Sequence, residues 1–499
     1  MLSSPDHMML AVKRFVQSTE FWLFVGLLAC YAYFPPRWAE WNQNSRMDLT
    51  LAIVEQGRFA IDDYYQNTGD YAQYGGHIYT DKAPGLSFLA VPWYAAYRAI
   101  AQTPPAAALL DRLSRSAALA QTLREDGTGL RADKIYFAGA LYFATFFTVS
   151  IASALAGVAL YRFLGLFVAN RRACLLATMG YALGTVALPY SSVFYGQQLA
   201  AAFILLAWER LYRVRHAIAP PRALYVAGAL LGLAVLTEFT AALPAALLAL
   251  YAFTGLRRKP DIGRLILGGL PFAVLLGYYN AVAFGSPLTS SYRYLVKFAE
   301  ISSYGFQGFG PPRLDALWGI TFSPFRGLFV YSPFVLLALP GWWLMRRDAV
   351  HRAEWMLSLG AFAAQLFLIA CWYDWKGGFA IGPRNLLVVL PFAMLPIAVA
   401  LEAAWPRPAR RWGAISLIGA SCLIVGLASV SGQYFPPIDV PNPLADFFLP
   451  KFQSGDVTRN LGMFAGLPSH WSLLPIIIVI GGLSLWMFRG APGRSRARA

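Results

Sequence analysis

Asp81 and Lys82 stand side by side at the end of the polar stretch Gly76-His77-Ile78-Tyr79-Thr80-Asp81-Lys82-Ala83-Pro84-Gly85, immediately before an apolar run. Charges beside a bilayer are expensive to hold and usually have a task. A carboxylate can take a proton from a hydroxyl, and an ammonium can hold a phosphate. Pro84 and Gly85 bend the chain where it meets the apolar run, which leaves Lys82 near the level of lipid phosphates. Snorkelling and simple lipid anchoring would suit the same lysine.

Upstream, Trp41 to Gly57 carries apolar Met47, Leu51 and Val54 at helical spacing and Gly57 as a natural stop, so it is expected to form an amphipathic helix along the membrane surface. Its charged members are Arg46, Asp48 and Glu55. Asp62-Asp63 could bind a metal, but no Asp-x-Asp with a nearby His accompanies them, and a cap in a turn explains them as well. A surface turn accounts for Asp70.

Farther along, Trp372-Tyr373-Asp374-Trp375-Lys376-Gly377-Gly378 leads into Gly382-Pro383-Arg384-Asn385. Glycines let backbone approach a ligand, and the aromatic rings offer faces on which sugars stack. Arg384 enters the next apolar run, placed for a bidentate grip on phosphate, although an interfacial aromatic belt would look similar. Glu238 lies between two apolar runs, where a carboxylate needs a cation from elsewhere or a part in a site. Arg326, in Ser323-Pro324-Phe325-Arg326-Gly327, is another arginine at a helix entrance, and Tyr195-Gly196-Gln197-Gln198 supplies hydrogen-bonding groups.

The elements that must position these groups are membrane spans. Of 499 residues, 58% are hydrophobic and 13% charged, the balance of an integral membrane protein. The net charge of +16 comes in short clusters between apolar runs, as in cytoplasmic loops, and argues against a nucleic-acid role. Cys30, Cys174, Cys371 and Cys422 lie far apart in or beside apolar runs and read as core residues. Lys13 and Arg14 precede an apolar run without a convincing cleavage site, so a retained first span is expected. Runs able to cross ~30 Å of hydrocarbon begin near Phe21, Ile135, Ala173, Leu199, Ala223, Ala241, Leu265, Leu328, Trp355, Leu386, Ile415 and Trp471. They do not alternate, which excludes a barrel.

The expected fold is an all-α polytopic membrane protein of about 12–13 transmembrane helices in one domain, residues 1–499, with a large first extracytoplasmic loop carrying amphipathic interfacial helices. Basic hairpins at Arg171-Arg172, Arg210 to Arg222, Arg257 to Lys259, Arg346-Arg347, Arg407 to Arg411 and the tail from Arg489 to Arg498 are expected in the cytoplasm. The loops on the other side then share one face: 36–85, 190–198, 237–240, 285–326, 373–385 and 433–470. The segment 86–134 fits either a short span with an irregular return or an interfacial helix.

Ser45-Arg46 leading into the surface helix, then Gly57, then Gly76-x-x-Tyr79-x-Asp81-Lys82-x-Pro84 resembles the first outer loop of the GT-C class of polyprenyl-phosphate-sugar glycosyltransferases. The nearest in look are the aminoarabinose lipid A transferases and the dolichyl-phosphate-mannose protein mannosyltransferases. Members place an acidic pair just before the arginine matching Arg46; here Gln43-Asn44 stands there, and an amide cannot take a hydroxyl proton. The resemblance implies that another carboxylate is the base, with Asp48, Asp62 and Asp81 the candidates. Lys82 matches the lysine that members use near the lipid phosphate.

From that resemblance follows an expected function: inverting, metal-independent transfer of a hexose or pentose from a polyprenyl-phosphate donor to a glycolipid, polysaccharide or protein at the extracytoplasmic face, in a bacterial inner membrane. No cofactor beyond the lipid-phosphate-linked sugar is expected. Substrate binding would fall to Arg46, Lys82, Glu238, Arg326, Asp374, Lys376 and Arg384. The alternative is a lipid-linked sugar flippase or transporter, which would string the same polar groups along a path through the bilayer.

Overall fold

The structure is a computed structural model that describes residues 17–37, 40–114, 134–306 and 308–490. Lys13, Arg14, most of the tail from Arg489 to Arg498, and residues 115–133 of the ambiguous segment lie outside the described residues. The chain is mostly helical, and each of the twelve apolar runs falls on helix. The main helices are α1 (Thr19–Ala32), α2 (Trp41–Gln56), α3 (Gly85–Ala101), α4 (Lys134–Leu164), α5 (Arg171–Gly184), α6 (Gly196–Arg215), α7 (Ala223–Thr237), α8 (Ala242–Gly255), α9 (Ile262–Phe284), α10 (Arg352–Ala370), α11 (Leu390–Ala404), α12 (Pro408–Val430) and α13 (Leu474–Gly490). Among the described residues, six helical stretches are long and apolar enough to cross a bilayer: Lys134–Leu164, Lys259–Phe284, Arg352–Ala370, Arg384–Ala404, Pro408–Val430 and Ser469–Phe488. Four shorter apolar helices, Thr19–Ala32, Ala223–Thr237, Phe239–Gly255 and Pro333–Met345, accompany them. The chain is a multi-pass membrane protein.

Helices in lipid gain little from burying apolar surface against each other, so close packing of small residues holds them together. α7 and α9 show this directly. A methyl group at Gly228 would fall 1.9 Å from the Leu265 carbonyl oxygen, and one at Gly268 would fall 2.1 Å from that of Tyr225. α9 also carries exposed Ile266, Leu270, Val274 and Tyr278, a surface suited to acyl chains.

The segment after Lys82 is settled in part. α3 buries Leu86, Ala90, Tyr94 and Tyr97 and exposes Trp93 and Ile100, and it is not among the helices long and apolar enough to cross. A shorter helix, Pro104–Ser114, follows it.

α2 begins at Trp41 and ends at Gly57 as the spacing predicts, but its surroundings differ from the expectation of a solvated polar face. Every residue from Asn42 to Ala52 is buried. Loops from distant parts of the chain cover the polar side, so each polar group has to find a partner there.

A two-stranded hairpin, which the helical reading does not anticipate, joins α2 to α3. β1 (Tyr71–Tyr74) pairs antiparallel with β2 (His77–Thr80) through the register Tyr71↔Thr80. Gly75 and Gly76 form its turn with φ of 60° and 84°, the left-handed pair that a two-residue hairpin needs. Continuing the register by one step sets Asp70 opposite Asp81.

Candidate active site

All six loops expected on one face contribute to a single cavity of about 430 Å³. From 36–85 come Arg46, Asp70, Asp81 and Lys82; from the others come Tyr195 and Gln197, Glu238, Tyr292 and Glu300, Asp374, Lys376 and Arg384, and Ile438. Polar side chains that are far apart in the chain thus meet at one place.

The hairpin brings the first charges together. Asp70 and Asp81 would repel as opposed like charges, but Lys82 Nζ lies 2.8 Å from Asp70 Oδ2 and 2.8 Å from Asp81 Oδ2. Ser291 Oγ donates to the Asp81 carbonyl at 2.7 Å and fixes the turn from a third segment. Burial works against the Lys82 charge, yet the two carboxylates outweigh it and hold its pKa above the ordinary lysine value. For Asp81 burial wins over the pull of Lys82 and pushes its pKa up to about 6.

Arg46 is the second fixed point. Its Nη2 lies 3.3 Å from Glu238 Oε2, and its Nη1 donates to the carbonyls of Ala83 at 2.9 Å and Thr237 at 3.3 Å. Thr237 ends α7, where the helix dipole favours a cation. Gly85 and Gly196 let the chain come this close: a methyl group on Gly85 would fall 2.6 Å from the Leu236 carbonyl carbon, and one on Gly196 2.5 Å from the Thr237 oxygen.

Arg384 is the third. Its guanidinium lies 5.2 Å from the Tyr195 ring centroid, and among the described residues no carboxylate lies within ion-pair distance of it. Its Nε is buried without a hydrogen-bond partner. Asp374 accepts from the Gly377 amide at 3.2 Å; burial raises its pKa above the usual carboxylate range, with Arg384 and Lys82 pulling the other way. A buried cation with an unfilled donor is a place for an anion. Among the described residues no three His, Cys, Asp or Glu side chains gather in a way that would hold a metal ion.

No family model matches the chain, and no curated protein matches it. It is similar to two crystal structures of ArnT from Cupriavidus metallidurans. The one bound to undecaprenyl phosphate is 15% identical with a TM-score of 0.44, and the match covers 98% of this chain and 77% of that one. The apo state is 14% identical with a TM-score of 0.43, covering 97% and 74%. A functional reading therefore has to stand on the cavity.

Of the ten residues expected to catalyse or to bind substrate, seven line that cavity: Arg46, Asp81, Lys82, Glu238, Asp374, Lys376 and Arg384. Three do not. Asp48 is fully buried, its Oδ1 accepting from Asn67 Nδ2 at 3.0 Å, because the whole of this part of α2 is covered. Asp62 is tied into the hairpin instead, accepting from the Ile78 amide at 2.8 Å with His77 at 2.9 Å and Arg58 at 3.6 Å. Arg326 sits behind the glycine loop, donating from Nε to the Lys376 carbonyl at 3.2 Å and from Nη2 to the Gly378 carbonyl at 3.0 Å.

Gln43 and Asn44 are fully buried scaffold. The Gln43 amide donates to the Arg37 carbonyl and Asn44 donates to that of Asn67 at 3.0 Å, contacts a carboxylate could not make. The reading from sequence missed Asp70, Tyr292, Glu300 and Arg313. For Asp70 the signal was present: Gly75-Gly76 between two short alternating strands is a hairpin turn, and counting outwards from it sets Asp70 against Asp81.

Proposed function

We propose that the protein is a membrane glycosyltransferase that moves a sugar from a polyprenyl-phosphate donor to an acceptor hydroxyl. The observation that carries this reading is the convergence of Lys82 and Arg384 with several carboxylates in one cavity. A conducting path would distribute such groups along the spans, whereas here they gather from six loops at one end of them.

In this reading Lys82 and Arg384 stabilise the charge that grows on the departing lipid phosphate; prepositioned donors of this kind often contribute more to a rate enhancement than any other effect. A cavity carboxylate takes the proton of the attacking hydroxyl, and direct displacement inverts the anomeric centre. The two cations supply the electrostatic work, so the reaction proceeds without a metal. Tyr292, Trp372 and Tyr373 give the sugar its stacking surfaces.

The lipid tail has a natural place. An apolar groove of about 980 Å³ runs between α7, α8 and α9, lined by Leu231, Val235, Leu236 and Tyr278 among others. Leu236 directly precedes Thr237, whose carbonyl Arg46 holds, so the groove adjoins the polar cavity. By the charge of the hairpins the cavity faces away from the cytoplasm, and we place the protein in a bacterial inner membrane.

Purified protein in vesicles, given labelled polyprenyl-phosphate pentoses and hexoses with glycolipid, polysaccharide and protein acceptors, tests the reading. Undecaprenyl-phosphate sugars are the first to try. Sugar transfer that is lost in Lys82→Ala and Arg384→Ala is the expected result. Movement of intact donor across the bilayer without transfer would favour a flippase and end the enzyme reading.

A further inference from the structure

We propose that Asp70 is the general base of this transfer, and that Asp81 is the buried anchor that keeps Lys82 beside it. The inference rests on the glycosyltransferase reading above and adds the residue that removes the acceptor proton.

The cavity carboxylates are not equivalent. Glu238 is held by Arg46 at 3.3 Å, and Glu40, 1% exposed, accepts from the Phe435 amide at 2.6 Å. Asp81 is 4% exposed, and its second oxygen, Oδ1, is sealed inside the protein where no acceptor molecule reaches. Asp70 differs. Its Oδ2 is fixed by Lys82 at 2.8 Å, while among the described residues nothing donates to Oδ1, and that oxygen is not sealed. It lines the cavity with one lone pair held for orientation and another oxygen free to accept a proton.

The surroundings supply the rest of the chemistry. Lys82 touches Asp70 on one side, and it also lines the space where the lipid phosphate is proposed to sit. A shared cation would then touch the base and the leaving group alike. The acceptor oxygen then bonds to the anomeric carbon as the bond to the phosphate oxygen breaks. The electron pair leaves with the lipid phosphate, and the hydroxyl proton goes to Asp70 Oδ1.

The test uses the full chain in vesicles, with the polyprenyl-phosphate hexose or pentose on which the native protein turns over as the probe. Asp70→Asn keeps the shape of the side chain and is expected to lower kcat by about 10²- to 10⁴-fold, the usual contribution of a general base, with donor KM within a few-fold. The acid limb of the pH–rate profile is expected to vanish with it, and formate is expected to restore part of the rate to Asp70→Gly. Asp81→Asn is expected to keep the acid limb and to raise donor KM. If Asp70→Asn folds poorly, Asp70→Glu decides: an active protein with a shifted acid limb supports the assignment, and an unshifted limb removes it. Asp70→Asn with more than a tenth of native kcat, or loss of the acid limb in Asp81→Asn or Asp374→Asn instead, overturns the base assignment while native transfer stands. Absence of transfer by the native protein from any such donor overturns the glycosyltransferase reading itself, and this inference with it.

Discussion

Arg46 and Glu238, 192 residues apart, form an ion pair of 3.3 Å with side chains only 2% and 12% exposed. Removing one partner of a buried pair leaves the other charge uncompensated, at a cost of about 3–5 kcal/mol. Arg46→Ala also strips the carbonyls of Ala83 and Thr237 of their donor, whereas Glu238→Gln leaves those bonds in place. Thermal unfolding should therefore rank Arg46→Ala as the more damaging, with Glu238→Gln intermediate. Arg46→Lys should not rescue, because an ammonium cannot span the four acceptors, Asn42 Oδ1, Glu238 and the carbonyls of Ala83 and Thr237, that the guanidinium reaches. Equal stability of Arg46→Lys and the native chain would refute the clamp.

Lys82 has two jobs, which a double substitution separates. Lys82→Ala leaves Asp70 facing Asp81 with no cation between them, so both stability and turnover should fall. Adding Asp81→Asn removes the repulsion and should restore the thermal midpoint, but not the turnover, because the charge that meets the phosphate is still missing. The rate loss expected for Lys82→Ala or Arg384→Ala is about 10²- to 10³-fold, that of a lost charge-stabilising donor. Recovery of turnover in the double variant would assign Lys82 a structural role alone.

How much of this was written in the sequence depends on the range of the forces involved. The helices were legible because apolar length is a local property, and α2 was legible from Met47, Leu51, Val54 and the stop at Gly57. That the outer loops belong together followed from charge asymmetry alone. What escaped was set by pairings across the chain. Asp48 looks like a cavity carboxylate until Asn67 and the covering loops are in place, and Arg326 looks like an anion ligand until the Gly377-Gly378 backbone folds over it. Asp70 looks like a turn residue until the register of the hairpin shows its partner, Asp81.

Asp81 gives the protein a pH signature. Its pKa rises from 3.8 to about 6 on folding, chiefly because burial disfavours the charged form. The folded state then binds the proton more tightly than the unfolded chain. The stabilisation is complete below pH 3.8 and is lost as pH rises through about 6. Asp81→Asn lacks this contribution, so across that window its thermal midpoint should change less steeply with acidity than that of the native protein. Parallel curves for the two proteins would show that Asp81 does not titrate there.

Gly85 and Gly196 press on the same turn, and a single methyl group should report it. Gly85→Ala would set carbon 2.6 Å from Leu236 and 2.7 Å from the Thr237 nitrogen, contacts that push on the turn carrying Glu238 beside Arg46. Overpacking of this kind costs about 1–3 kcal/mol. Gly263→Ala is the control, since nothing lies within 4 Å of its added carbon, and alanine suits a helix better than glycine does. Both site variants should lose stability and turnover while the control loses neither.

Arg326 acts on the site from behind. It is fully buried, lies 4.1 Å from the Phe325 ring centroid, and holds the Lys376 and Gly378 carbonyls, so it fixes the loop that carries Asp374 and Lys376 into the cavity. Arg326→Met keeps the volume but leaves two carbonyls without donors, each costing about 1–3 kcal/mol if they stay buried. The loop is the part free to move and recover water, so the loss should appear as local opening rather than global unfolding. Hydrogen exchange should quicken over residues 374–384 and donor KM should rise, while the amides of α7 and α9 keep their protection. Uniformly faster exchange over all the helices would make Arg326 a residue of the core and remove its connection with the loop.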